Sequence, residues 1–222
     1  MCDTELAEIR NQLQEMLVQY GENYEALYRT YRETVTAWRY GRGGTTIHRG
    51  WFCPSPVRDK VFGNASRGKL LKNPPKSEHP ADYVYGFDAE GELRVVEGPN
   101  SELHGGPARR EVIVSDGDRR IGLQFEERQG KKTLCGLSIC VYEKGNIVTY
   151  ITALRPDVQT GLITTFEWEQ YQYEQSGELI KVRWIEWTDP GSLAEKIAVQ
   201  SPLIRERTYI LGGNNIWKQE GN

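Results

Sequence analysis

The sequence has little of what metal centres and disulfide frameworks are made from. It carries four cysteines, three histidines and two methionines in 222 residues. No Cys-x-x-Cys pair occurs, and His48, His79 and His104 have no ligand spacing around them, so no metal is expected. Cys135 and Cys140 are an odd number of residues apart and would point to opposite sides of one strand, which excludes a bridge between them. Cys135 shares a face with Leu137, Ile139 and Val141 and reads as a small buried apolar residue. No apolar run approaches the roughly 18 to 20 residues that span a bilayer. The first residues, "MCDTELAEIR", lack the basic and then apolar pattern of a secretion signal, so a cytoplasmic location without a membrane partner is expected. "GRGGTT" (41–46) lacks the Gly-Lys-Ser/Thr ending of a phosphate-binding loop, and no cofactor is expected.

What is present divides into three stretches. In residues 1–40, Leu6, Ile9, Leu13, Met16 and Tyr20 recur in steps of three and four, and the stripe continues through Tyr24, Leu27, Tyr31, Val35 and Trp38. That spacing predicts one long helix, or two in a bend at Gly21, with Thr4 as N-cap and the apolar face lying on the protein's own sheet; a dimerising coiled coil is the alternative. Residues 41–80 are punctuated by Gly and Pro and read as a long connection. Between residues 39 and 80, nine Arg and Lys stand against Asp59 and Glu78, a balance of +7 in a chain whose net charge is −3. From residue 81 to 222 the apolar period becomes two. Strands are expected at 83–87, 92–97, 111–115, 120–128, 133–143, 146–154, 162–174, 178–187 and 203–211, with a short irregular or helical piece around "SLAEKIAV". Short Gly or Asp turns separate most of them, which suits antiparallel hairpins. The expected fold is α+β, mainly β: an N-terminal helix or helical hairpin packed on a large antiparallel meander sheet.

One phrase is written twice. "YGFDAEGELRVV" (85–96) and "YQYEQSGELIKV" (171–182) share aromatic, spacer, aromatic, acid, two free positions and Gly-Glu-Leu, and "VYEKGNIVTY" (141–150) is a shortened third copy. Gly91, Gly145 and Gly177 would close the turns with positive φ. If Tyr173 faces Leu179 in the second copy, the register places Tyr171 opposite Lys181, Glu169 opposite Arg183 and Trp168 opposite Trp184. Phe166, Trp168, Val182 and Trp184 would then face the core, while Glu167, Glu169, Tyr171, Tyr173 and Arg183 look outward. Tyr85, Phe87, Asp88, Gly91 and Leu93, and again Tyr171, Tyr173, Glu174, Gly177 and Leu179, resemble the YD repeat of bacterial Rhs-type proteins, with Glu92 and Glu178 where that repeat usually has Arg. The resemblance implies long antiparallel hairpins, a style shared by small immunity-type proteins encoded beside polymorphic toxins.

No nucleophile, base and charge stabiliser come together in the sequence, so no catalytic residue is assigned. Glu167 and Glu169 share a face, as a glycosidase pair would, yet pairing with Arg183 or water is the expected use of such carboxylates. An outward surface of acids with Tyr and Trp suits a basic protein partner, because the rings give contact area and the acids steer association. The expectation is a non-enzymatic protein-binding module, immunity-like, with Glu167, Glu169, Tyr171, Tyr173 and Arg183 meeting a basic toxin domain. A Rhs-like structural or scaffold fragment is one alternative. The other is nucleic-acid binding through residues 39–76, with Arg67, Lys69 and Lys72 as anion-binding residues beside Trp51, Phe52 and Phe62.

Overall fold

The computed structural model describes residues 3–21, 23–43, 48–77, 79–98, 108–128, 131–154, 162–189, 202–212 and 216–220. His104 and the "SLAEKIAV" stretch lie outside them. Among the described residues two helices, α1 (Asp3–Gly21) and α2 (Tyr24–Glu33), precede twelve strands. These are β1 (Ala37–Arg42), β2 (Lys69–Leu71), β3 (Asp82–Phe87), β4 (Leu93–Glu97), β5 (Ala108–Asp116), β6 (Arg119–Arg128), β7 (Lys131–Glu143), β8 (Asn146–Leu154), β9 (Thr165–Tyr173), β10 (Leu179–Thr188), β11 (Leu203–Gly212) and β12 (Ile216–Gln219). From β3 to β12 each strand lies beside its sequence neighbour, and β1 sits between β3 and β2. The protein is therefore α+β and mainly β, with an antiparallel meander.

The helical stripe stops sooner than its spacing suggests. Thr34, Val35 and Thr36 form a β-branched run that disfavours helix, and the Thr34 hydroxyl donates to the Tyr31 carbonyl at 2.8 Å, closing α2. The Thr36 amide already donates to the Phe87 carbonyl at 2.8 Å, so Trp38 belongs to β1. Thr4 lies inside α1 rather than at its cap.

The chain divides into two compact units. The first comprises Met1–Gln19, Asp116–Arg120 and Gly136–Asn222; the second comprises Tyr20–Ser115 and Ile121–Cys135. In the first, α1 buries Leu6, Ile9, Leu13 and Met16 within the same chain. Its polar side is tied to β10 and to the residues flanking β9 and β10: Arg10 pairs with Asp189 at 3.0 Å and lies over the Trp187 ring, and the Gln14 side chain accepts the Ile163 amide at 3.0 Å. In the second unit, Tyr24 of α2 stacks on Phe125. Residues 48–62, irregular except for a 3-10 turn (Gly50–Phe52) and a π turn (Val57–Val61), bring Phe52 against Tyr85 and Phe87 in a core completed by Val96 and Ile113.

The repeated phrase is a repeated turn. In the first copy the Asp88 amide donates to the Glu92 carbonyl and the Gly91 amide to the Asp88 carbonyl; in the second the Glu174 amide donates to Glu178 and the Gly177 amide to Glu174. Gly91 and Gly177 have φ of 80° and 84°. This is a type I turn closed by a left-handed residue and a bulge, a loop that favours glycine at that one position. The third copy uses the tighter variant, with positive φ at both Lys144 and Gly145.

That bulge corrects the expected register. Leu179 does face Tyr173, but the pairing shifts between Leu179 and Lys181, so Tyr171 lies opposite Val182, Glu169 opposite Trp184 and Trp168 opposite Ile185. One extra residue on β10 carries every later side chain to the other face. Phe166 and Trp168 consequently share their side with Ile185 and Trp187, Phe166 stacking on Trp187 at 5.2 Å, while Val182 and Trp184 join Tyr171 and Glu169 on the other. Trp168 remains buried at 5% exposure. Replacing it with alanine should cost about 3 to 5 kcal/mol in urea unfolding, as for a buried aromatic; a change within the scatter of surface substitutions would refute its place in the core.

Candidate functional site

Four of the five residues expected to form one outward surface share a face of β9, but that face is largely buried and Arg183 lies on the other. Glu169 and Tyr171 are 3% and 7% exposed, with the Tyr171 hydroxyl bonded to the Glu169 carboxylate. Glu167 is half-buried and accepts the Trp184 indole N–H at 3.1 Å. Tyr173 is half-buried too, its hydroxyl donating to the Ile147 carbonyl at 2.8 Å. Arg183 lies on the opposite face from Glu169, bonded to Gln170 at 2.8 Å and Glu206 at 2.6 Å, with its guanidinium 6.0 Å from the Trp168 ring. The acidic sheet face is thereby corrected. Both sides of β9 and β10 are buried, so alternation does not sort their residues into core and solvent.

The basic stretch is corrected in part. Arg67 is not presented to an anion. It pairs with Asp59 and donates to the carbonyls of Cys53 and Ser55, clamping the loop that contains the π turn. Arg42 takes Asp82 at 2.5 Å, and Arg39 and Arg58 lie over the rings of Phe87 and Phe62. Lys69 and Lys72 are exposed, at and just after β2.

The most enclosed ionic cluster is one that sequence reasoning missed. Glu111 of β5 is 2% exposed. Arg49 reaches one of its carboxylate oxygens with Nε at 2.8 Å and a terminal nitrogen at 2.7 Å, and His48 Nε2 reaches the other at 3.0 Å. The direct register from Tyr85 through Val96 to Glu111 puts the Tyr85 ring on the same face. Its hydroxyl donates to the Arg49 carbonyl at 3.1 Å and accepts the Trp51 amide at 3.2 Å. Arg49 itself has φ of 61° and Gly50 of 53°, and a Cβ on Gly50 would come within 2.9 Å of the Tyr85 oxygen. Glycine is needed there both for the left-handed backbone and for the close approach to the ring. A histidine does meet a carboxylate here, yet both oxygens are occupied and the carboxylate is sealed. The arrangement fastens residues 48–53 to the sheet. The 62 residues separating Arg49 from Glu111 explain why no local spacing revealed it.

Burial by itself would raise the Glu111 carboxyl, but the charges of Arg49 and His48 outweigh it and hold the group at about 2, below its ordinary 4.5. Nearby Cys135 behaves oppositely: burial, with Glu126 adding to it, pushes its thiol up to about 12, so it is a poor nucleophile.

A different acidic surface is exposed in the first unit. The turns joining β5 to β6, β7 to β8 and β9 to β10 occupy one end of the meander, as alternate hairpin turns must. Asp116, Asp118, Glu143, Glu174 and Glu178 are all exposed in them. The Tyr142 amide donates to the Asp118 carbonyl at 3.0 Å, tying the first turn to the second hairpin. Arg120 is folded back, donating to the Gly117 carbonyl at 3.1 Å and lying over the Tyr142 ring. Successive turns stand about 10 Å apart, twice the strand spacing.

Glu111→Gln should cost about 3 to 5 kcal/mol at neutral pH, because Arg49 would be left buried without its counter-charge. Since the folded-state value lies below the unfolded one, the stability from Glu111 is complete above about 4.5 and is lost as pH falls from there towards 2. Urea titrations across that window should show the wild type losing about 3 kcal/mol more than Glu111→Gln; parallel curves would contradict the ion cluster. No protein-family model matches the chain, and no curated protein or solved structure does either.

Proposed function

We infer that this chain is a non-enzymatic protein-binding module that docks a basic partner, an immunity-like protein whose acidic hairpin turns cover a toxin domain. The observation that carries the reading is the row of Asp116, Asp118, Glu143, Glu174 and Glu178, all exposed, with Lys144 the exposed cation within the same three turns. The Glu174 and Gly177 amides close the β9–β10 turn, the Tyr142 amide holds the β5–β6 turn at Asp118, and Glu143 pairs with Asn146 across the β7–β8 turn, so the carboxylates are displayed without ordering a loop on binding. Tyr142 and Tyr173, near the ends of β7 and β9, are half-buried and add rigid ring area beside the acids. Such a row, spaced about 10 Å from turn to turn, steers a lysine- and arginine-rich surface and raises its rate of encounter.

The reading is tested by mixing the protein with the products of adjacent genes and measuring association at several salt concentrations. The combined variant Glu143→Lys, Glu174→Lys, Glu178→Lys should slow association by about tenfold or more at low salt. Its unfolding free energy should change little, about 0.5 kcal/mol per exposed site. Equal rates for variant and wild type, or no complex with any such product at micromolar concentration, would overturn it.

A further inference from the structure

In the second unit a cleft of about 330 Å³ opens between α2 and the strands β5 and β7. Tyr24 and Tyr28 form its apolar wall, and Arg29, Arg32, Arg110 and Lys132 project into it. Arg29 and Arg32 stand three residues apart on α2 and so share a helix face, while Arg110 comes from β5 and Lys132 from β7. Four cations from three elements meet two carboxylates, Glu25 and Glu33, in the lining of a protein whose net charge is negative.

The wall is fixed before any ligand arrives. Tyr24 stacks on Phe125, and the Tyr28 hydroxyl donates to Glu97. The same Glu97 oxygen accepts Arg32 Nε at 3.3 Å, so one carboxylate sets both a ring and a guanidinium. The Arg110 guanidinium sits 5.4 Å from the centre of the Tyr28 ring.

Part of the donor capacity of the cations is unspent. The Arg110 contact with Glu127 is 3.9 Å, longer than a hydrogen bond. Arg32 reaches Glu97 through Nε, and its guanidinium also lies over the Trp38 ring at 5.2 Å. Lys132 pairs with Glu25, whose carboxyl it draws below the ordinary range, but Glu25 is fully exposed and a solvated pair of this kind is readily exchanged. Arg29 is exposed and forms no ion pair among the described residues.

We propose that this cleft binds a small phosphate monoester. A tetrahedral dianion accepts several charge-assisted bonds at once from guanidinium forks and an ammonium, which a single carboxylate does not. The volume lies at the lower end of small-ligand sites, about 300 to 1,000 Å³, and the open cleft admits a phosphate whose body is no larger than a nucleoside, resting on the tyrosines. This site is independent of the acidic turns, and its failure would leave the protein-binding reading intact.

Calorimetry on the full chain at low salt, with AMP, adenosine and inorganic pyrophosphate as probes, tests the site. AMP should bind about tenfold or more tighter than adenosine, and pyrophosphate should compete with it. Arg29→Glu, at an exposed position, should weaken AMP by about tenfold or more with an unchanged circular dichroism spectrum and melting temperature. The proposal is overturned if neither AMP nor pyrophosphate binds at about 5 mM, a concentration that detects even millimolar affinity. Equal affinities for AMP and adenosine, or an Arg29→Glu variant that binds like wild type, overturn it too. So does a single-stranded oligonucleotide that binds about a hundredfold tighter than AMP, which would mark a polyanion surface.

Discussion

A pleated strand sends successive side chains to opposite faces, and one added residue reverses the assignment for everything beyond it. The pairing shift between Leu179 and Lys181 is such a reversal. It places Trp184 beside Glu169 and Tyr171, and Ile185 and Trp187 beside Phe166 and Trp168. Both sets are buried, so the two faces of β9 and β10 differ in chemistry but not in access to water. On the Glu169 side the polar members satisfy one another, the Tyr171 hydroxyl taking the Glu169 carboxylate and the Trp184 indole taking Glu167, whereas on the other side the buried Trp168 indole N–H has no partner among the described residues. A carboxylate without such donors would carry a desolvation cost of several kcal/mol, which explains why tyrosine and tryptophan flank the acids in this stretch.

The local signals in the sequence were reliable where they were local. Long period-two runs located β3 to β11 to within a few residues, and the glycine of the repeated phrase located its turns. The α1 stripe of Leu6, Ile9, Leu13 and Met16 identified the buried side of that helix. What escaped was non-local or short. Strand β2 has three residues and β12 four, too few to show a period, and β1 was hidden because its Trp38 extended the helical spacing. The face assignment failed because Ile180 is indistinguishable in the sequence from an ordinary strand residue. Only the closed turn, with its bulge, sets which way Lys181 points.

The charge count misled for a related reason. A balance of +7 over residues 39–80 suggested an anion-binding stretch, but the arginines there are spent internally: Arg42 on Asp82, Arg49 on Glu111 and Arg67 on Asp59. The planar fork of arginine suits bidentate pairing in enclosed surroundings, whereas the lysine ammonium is strongly hydrated and stays in water. Lys60, Lys69, Lys72 and Lys76 accordingly remain exposed. A sum of formal charges treats the two residue types as equivalent; burial does not.

Binding capacity therefore follows from polar groups left without a partner rather than from the number of charges a segment contains. Glu169 and Glu111 are carboxylates in a chain with an acidic excess, yet each is consumed by donors from its own fold and neither can steer an approaching molecule. The exposed carboxylates of the β5–β6, β7–β8 and β9–β10 turns differ in that none forms an ion pair among the described residues, and the nearby Arg120 is directed at a backbone carbonyl and a ring. Exposure is set by the neighbouring residues and not by the turn motif: in the first copy of the repeated phrase Asp88 is buried and paired with Arg94 from the return strand, whereas Glu174 at the same place in the second copy is exposed. The phrase written twice in the sequence has its physical meaning in the turn: each copy sets a glycine of positive φ where the chain reverses, and the acid before it is spent on Arg94 in the first copy and left in water in the second.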